Sequence, residues 1–200
     1  MLDDFEIIPI NCIWEEPDTL IQKIKQLRER SGSYNWVYSR PPLDLKRICL
    51  PAPPKGGIHL PQFTVWQPEN MLFGSVLIPN YRDGLIQLMR HLNKQFEIQY
   101  FSAFLSKDYK KEGFCTFTHS INCGEKRVVQ VIRDPKWKFF ESGRILPYEN
   151  IVHYRQRIIS NRLSPVIIQE YLDSLGWNLD SEKFWRSKGP SWFAAQSSFA

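Results

Sequence analysis

Residues 96–133 read FEIQYFSAFLSKDYKKEGFCTFTHSINCGEKRVVQVIR. Three runs within it, 96–105 (FEIQYFSAFL), 113–119 (GFCTFTH) and 127–133 (RVVQVIR), are dense in aromatic and β-branched residues, the side chains that suit a pleated, half-buried surface. The second and third are joined through Ser120–Lys126, with Asn122 and Gly124 as turn formers, and a hairpin of that kind makes its two strands antiparallel neighbours. The stretch therefore predicts a mostly antiparallel sheet.

Working outward, Trp137–Glu141 supplies a further strand that Ser142 and Gly143 end, and a helical segment is expected over Glu149–Asn161. The clearest helix start in the chain follows. Ser164 stands at the N-cap, Pro165 at the first helical position, Ile168, Tyr171, Leu172 and Leu175 form an apolar stripe, and Gly176 is the stop. Upstream, 5–14 (FEIIPINCIW) reads as a strand, with Pro9 better suited to an edge than to a central position. A helix from Pro17 to Arg30 follows it, with acids at its start, bases at its end, and Leu20, Ile21, Ile24 and Leu27 as its buried face. From Tyr34 to Trp66 the pieces YNWVYS, LKRICL and QFTVWQ read as short strands separated by proline-rich loops. Leu72–Ile78 is another strand, after which Asp83 caps a helix running to about Gln95. The fold class is α+β: a mostly antiparallel sheet of about six to eight strands with two packed helices and a helical C-terminal segment. Residues 1–176 form the domain, and 177–200 an aromatic-rich tail packed on the body or on a partner.

Composition narrows the function classes. At 200 residues, 42% hydrophobic and 24% charged, the chain is neither disordered, nor collagen-like, nor a coiled coil. No apolar run reaches the ~18 residues of a membrane span, and acids stand near the first residue where a secretory signal carries bases. A cytoplasmic protein without a membrane partner is expected. The net charge of +5 sits in the second half: residues 126–162 hold nine bases against three acids, a field that attracts a phosphate backbone, an anionic ligand or an acidic protein face.

Four cysteines, Cys12, Cys49, Cys115 and Cys123, match no small disulfide scaffold, and reduced thiols are expected, Cys12 as a small buried hydrophobe. Cys115, His119 and Cys123 are the densest set of soft metal ligands. On an extended strand, however, Cys115 and His119 stand about 13 Å apart at ~3.3 Å per residue, too far for one ion. Neither a metal nor a cofactor is expected. A hydrolase-type site would need a thiol beside a base, and Cys49 with His59, or Cys115 with His91 or His153, are the pairs on offer. No G-x-S-x-G, H-E-x-x-H or phosphate-loop motif accompanies them, so no catalytic residue is assigned.

Aromatics interleave with bases at Lys136-Trp137-Lys138, Tyr154-Arg155 and Trp185-Arg186. That pattern serves single-stranded nucleic acid through stacking and phosphate attraction, and it equally serves protein hot spots. On a helix over 149–161, Arg155 and Arg162 would share one face two turns apart. Arg155, Arg157, Arg162, Trp137 and Trp185 are the candidate binding residues.

Residues 127–185 present a strand (RVVQVIRD), an aromatic-acidic turn (FFESGRILPYEN), an Arg-rich segment (HYRQRIISNRL), then SPVIIQEYLDSLGW and a closing FW. This order resembles small immunity proteins of bacterial toxin–immunity loci. The resemblance implies a stand-alone cytoplasmic protein without chemistry that occludes a cognate toxin domain. With this basic excess, the toxin need not be a nuclease. The expected function is thus non-catalytic binding of a protein partner, with single-stranded nucleic acid as the alternative partner and a Cys/His enzyme as the third reading.

Overall fold

The computed structural model describes residues 6–31, 36–49, 60–122 and 124–197. In chain order these form β1 (Ile7–Ile13), α1 (Pro17–Ser31), β2 (Trp36–Ser39), α2 (Lys46–Cys49), β3 (Gln62–Trp66), β4 (Ser75–Pro79), α3 (Ile86–Phe96), β5 (Tyr100–Ser106), α4 (Tyr109–Glu112) and β6 (Phe114–Asn122). Then come β7 (Glu125–Asp134), β8 (Lys136–Ser142), α5 (Ile151–Tyr154), a 3-10 turn (Ile159–Asn161), α6 (Pro165–Ser174), a second 3-10 turn (Glu182–Trp185) and β9 (Trp192–Gln196). Mixed helix and strand with one large antiparallel sheet is the architecture: nine strands in the order β2-β9-β3-β4-β1-β5-β6-β7-β8, every pairing antiparallel.

The strand alternation sends apolar side chains to two clusters, one per face. One joins Leu20, Ile21 and Ile24 of α1 and Leu88, Met89 and Leu92 of α3 to Ile13, Phe63, Val65 and Leu77 of the sheet. The other joins Ile8, Ile10, Cys12, Phe101, Phe117 and Val129 to Ile168 and Leu172 of α6 and to Trp177, Phe184 and Trp185 beyond it. The stretch after 176 is thus woven into the body, since β9 lies between β2 and β3, with Thr64 opposite Phe193.

Several local expectations are corrected. β1 is a central strand, not an edge, and it tolerates Pro9 because its ladder to β4 begins only at Asn11. At Pro9 the strand is paired with β5 alone. LKRICL carries a helical turn, not a strand, because the Asp44 carboxylate accepts from the Arg47 N–H at 3.3 Å and starts it. Asp83 is not the N-cap of α3: Gly84 and Leu85 both adopt left-handed backbone (φ 68° and 55°), Asp83 accepts from the Leu85 N–H, and α3 begins at Ile86. The helix expected over 149–161 breaks after Tyr154. The break is stabilised from outside the segment's own ladder: Arg162 Nε donates to the Gln156 carbonyl at 2.9 Å and the Tyr109 hydroxyl to the Ser160 carbonyl at 3.1 Å. By contrast α6 starts as read, with the Ser164 hydroxyl accepting from the Ile167 N–H and Pro165 at its first position.

Candidate functional site

The thiol pairs come first, because they decide whether nucleophilic chemistry is on offer. Cys115 lies on β6, side chain fully buried among the α6-side cluster, and burial pushes its thiol far above the range in which it ionises at neutral pH. No hydrogen bond joins it to His91, which sits on α3 at the opposite face, or to His153, whose Nε2 lies 3.3 Å from Glu170. Cys12 is likewise buried with its thiol pushed up. His59 and Cys123 lie outside the described residues, so the Cys49–His59 pair and the third ligand of the metal set go with them. On β6, Cys115 and His119 stay four extended residues apart, and no group of three potential metal ligands forms among the described residues.

His119 is instead a buried structural ring. It stacks on Trp14 with centroids 5.3 Å apart and contacts the Tyr148 hydroxyl through Nδ1 at 2.7 Å, and burial pushes its imidazole down to about 4. Beside it on β7 stands Arg127, only 2% exposed, which the sequence counts among the bases of the positive stretch. The structure removes it from the surface. Its Nε and Nη2 donate to the fully buried Glu149 carboxylate at 2.9–3.0 Å, Nη2 also reaches Glu141 at 2.6 Å, and Nη1 donates to the Gly143 carbonyl. Glu149 further accepts from the Leu146 N–H and the Tyr154 hydroxyl. Burial works against the guanidinium charge, and the hydrogen bonds and charges of Glu149 and Glu141 outweigh it, so Arg127 holds its proton above the ordinary arginine value.

Of the five candidate binding residues, Trp137 lies on β8 and Arg162 packs against that strand. Trp137 and Phe139 share a face of β8, half-buried; the Arg133 guanidinium lies 5.7 Å from the Trp137 ring and that of Arg162 5.5 Å from Phe139. Arg155 and Arg157 are exposed, and their side chains make no ion pair or hydrogen bond among the described residues. Val152 and Ile158, 66% and 60% exposed, flank them. The broken helix means that Arg155 and Arg162 do not share a helical face; Arg162 instead turns back to the Gln156 carbonyl. Trp185 is corrected outright. It is 4% exposed, its indole N–H donates to the Leu179 carbonyl at 2.7 Å, and it packs against Trp66 and Phe184, so it belongs to the core and not to an exposed aromatic surface.

Sequence reasoning missed a second region on the α3 face. A trough of about 520 Å³ opens between the start of α3 and strands β5–β7. Its floor carries Phe104, Phe114 and Val128, its walls Thr118 and Gln130, and Arg90 and Lys126 line it as well. Asn11, wholly buried on the otherwise apolar β1, builds one side: its amide donates to the Gly84 and Leu77 carbonyls, and its carbonyl oxygen accepts from Ser102. The available signal was Asn11 itself, a lone amide in a run of buried β-formers that must find partners.

No family model, no curated protein and no solved structure matches this chain.

Proposed function

We propose that this chain is a non-catalytic binding protein of the bacterial cytoplasm that works by surface contact, in the manner of an immunity protein occluding a toxin domain. The observation that supports this reading is the surface of residues 152–158. Two exposed apolar side chains, Val152 and Ile158, bracket two exposed arginines that have no acidic partner among the described residues. Arginine beside apolar surface is the composition of an interface hot spot, and unpaired positive charge selects an acidic partner face. The exposed β8 strand adds Lys136 and Lys138, charges that discourage edge-to-edge strand pairing and leave the face around Trp137 as the contact. No helix among the described residues is long and apolar enough to cross a membrane.

The test is coexpression with the product of the adjacent gene. A stable one-to-one complex is expected, and the double charge reversal Arg155→Glu/Arg157→Glu, as well as Ile158→Asp, should raise its Kd about 30-fold or more. Repeated isolation of the chain alone, or a complex indifferent to all three changes, overturns the reading. Retardation of single-stranded oligonucleotides that fades steeply with salt would replace the protein partner with nucleic acid.

A further inference from the structure

The α3 face is covered unevenly. The cluster under α1 and α3 draws on β1, β3, β4 and β9, while Ser102, Phe104, Thr116 and Gln130 farther along the sheet line an open trough. Two cations meet there. Arg90 comes from α3 and Lys126 from β7, and neither makes an ion pair or a hydrogen bond through its side chain among the described residues. Arg82 and Asp83 line it as well: Arg82 pairs with Glu112 at 2.8 Å, and the exposed Asp83 carboxylate, the one acid of the lining, accepts from the Leu85 N–H and makes no ion pair with Arg90 or Lys126. Partial burial, and then the charge of Arg90, push the Lys126 amine down from its ordinary value, the signature of a cation short of a counter-charge.

The trough also offers unfilled polar groups. Neither the Thr118 hydroxyl nor the Gln130 amide has a protein partner among the described residues, so both can hydrogen-bond a bound molecule in place of water. The floor is apolar, and Phe104 and Phe114 stack on each other with centroids 4.1 Å apart. Their facing rings are thus spent on one another, which leaves a floor suited to hydrocarbon more than to base stacking. The volume falls inside the usual range for a small-molecule site.

The geometry points to this trough as a binding site for an amphipathic organic anion, a carboxylate or phosphate head held by Arg90 and Lys126 on a hydrocarbon body that lies over Phe104, Phe114 and Val128. The site is separate from the 152–158 surface and stands whether or not that surface binds a protein.

Isothermal titration of the full chain with decanoate, decyl phosphate, decanol and decylamine, each below its aggregation threshold, tests it. Decanoate or decyl phosphate should bind one-to-one at least about tenfold tighter than decanol, and decylamine more weakly than either anion. The ratio of the two anions identifies the head group. Arg90→Gln/Lys126→Gln should weaken the anions at least about tenfold and leave decanol unchanged, and Val128→Trp should block all four by filling the floor. Circular dichroism checks that each variant is folded, and in the wild type the titration of the Lys126 amine, followed by NMR, should move upward on binding. The proposal is overturned if neither anion binds, if decanol equals them, or if the double variant binds the anions as the wild type does.

Discussion

Lys126 and Arg127 are consecutive residues of one strand, and the molecule treats them in opposite ways. Alternation along β7 turns Arg127 into the α6-side layer, where two carboxylates, a backbone carbonyl and near-total burial surround it. It turns Lys126 toward the trough, where the charge that acts on it is that of another cation, Arg90. One face has resolved its electrostatics internally, and the other has left a positive charge unanswered. A charge total along a stretch of chain therefore says little about the field a partner meets, because a period of two residues divides the charges between core and surface.

The contrast can be broken most violently at Arg127. Arg127→Met leaves Glu149 buried without its counter-ion, and chemical denaturation should show a loss of about 3–5 kcal/mol. The double change Arg127→Met/Glu149→Leu should recover much of it, since both buried charges are then gone; a double variant as unstable as the single one would mean that the pair's hydrogen bonds to the backbone, and not its charges, organise this layer. A somewhat smaller effect comes from pH. His119 is held near about 4, whereas an unfolded histidine titrates near ~6.5, so between those values the unfolded chain binds a proton that the folded chain refuses. Stability contributed by this ring is full above pH ~6.5 and falls as the pH drops toward 4, by on the order of 3 kcal/mol. Denaturation midpoints across that window should show the slope, and His119→Gln should flatten it. Lys126→Met lies at the other extreme: removing an unpaired, repelled charge should shift stability by no more than ~0.5 kcal/mol in a thermal melt. A loss of several times that amount would reveal a hidden partner on the open face.

How much of this was legible depended on whether a feature was encoded locally. α1 and α6 carry their own start and stop chemistry, Pro17 with flanking acids in one case and Ser164-Pro165 with Gly176 in the other, and both were placed within a residue or two. The β6–β7 hairpin was legible for the same reason: Gly124, at φ 92°, stands in its turn. The segment after Glu149 was not, because its helical pattern is overridden by distant groups, the Tyr109 hydroxyl and the Arg162 guanidinium, which take up carbonyls from a broken backbone. β9 was missed because WFAAQ is short and two of its five residues are alanine, a strand only by virtue of lying between β2 and β3. Candidate site residues fared by the same rule. Aromatic neighbours of bases were easy to find, but whether a ring faces water, as around Trp137, or the interior, as at Trp185, is decided by packing that spans the whole chain.

The position of β9 carries a consequence for how the molecule is made. Thr64 on β3 donates its hydroxyl hydrogen bond to the Trp192 carbonyl, 128 residues downstream. While the polypeptide is being synthesised, β2 and β3 therefore wait with bare edges until the other described strands of the sheet have left the ribosome. Pairings so distant in sequence form slowly, and unpaired edges invite association with other chains in the meantime. Assembly of the sheet is accordingly a closing event, in which the last of the nine described strands zips the edge strand β2 onto β3.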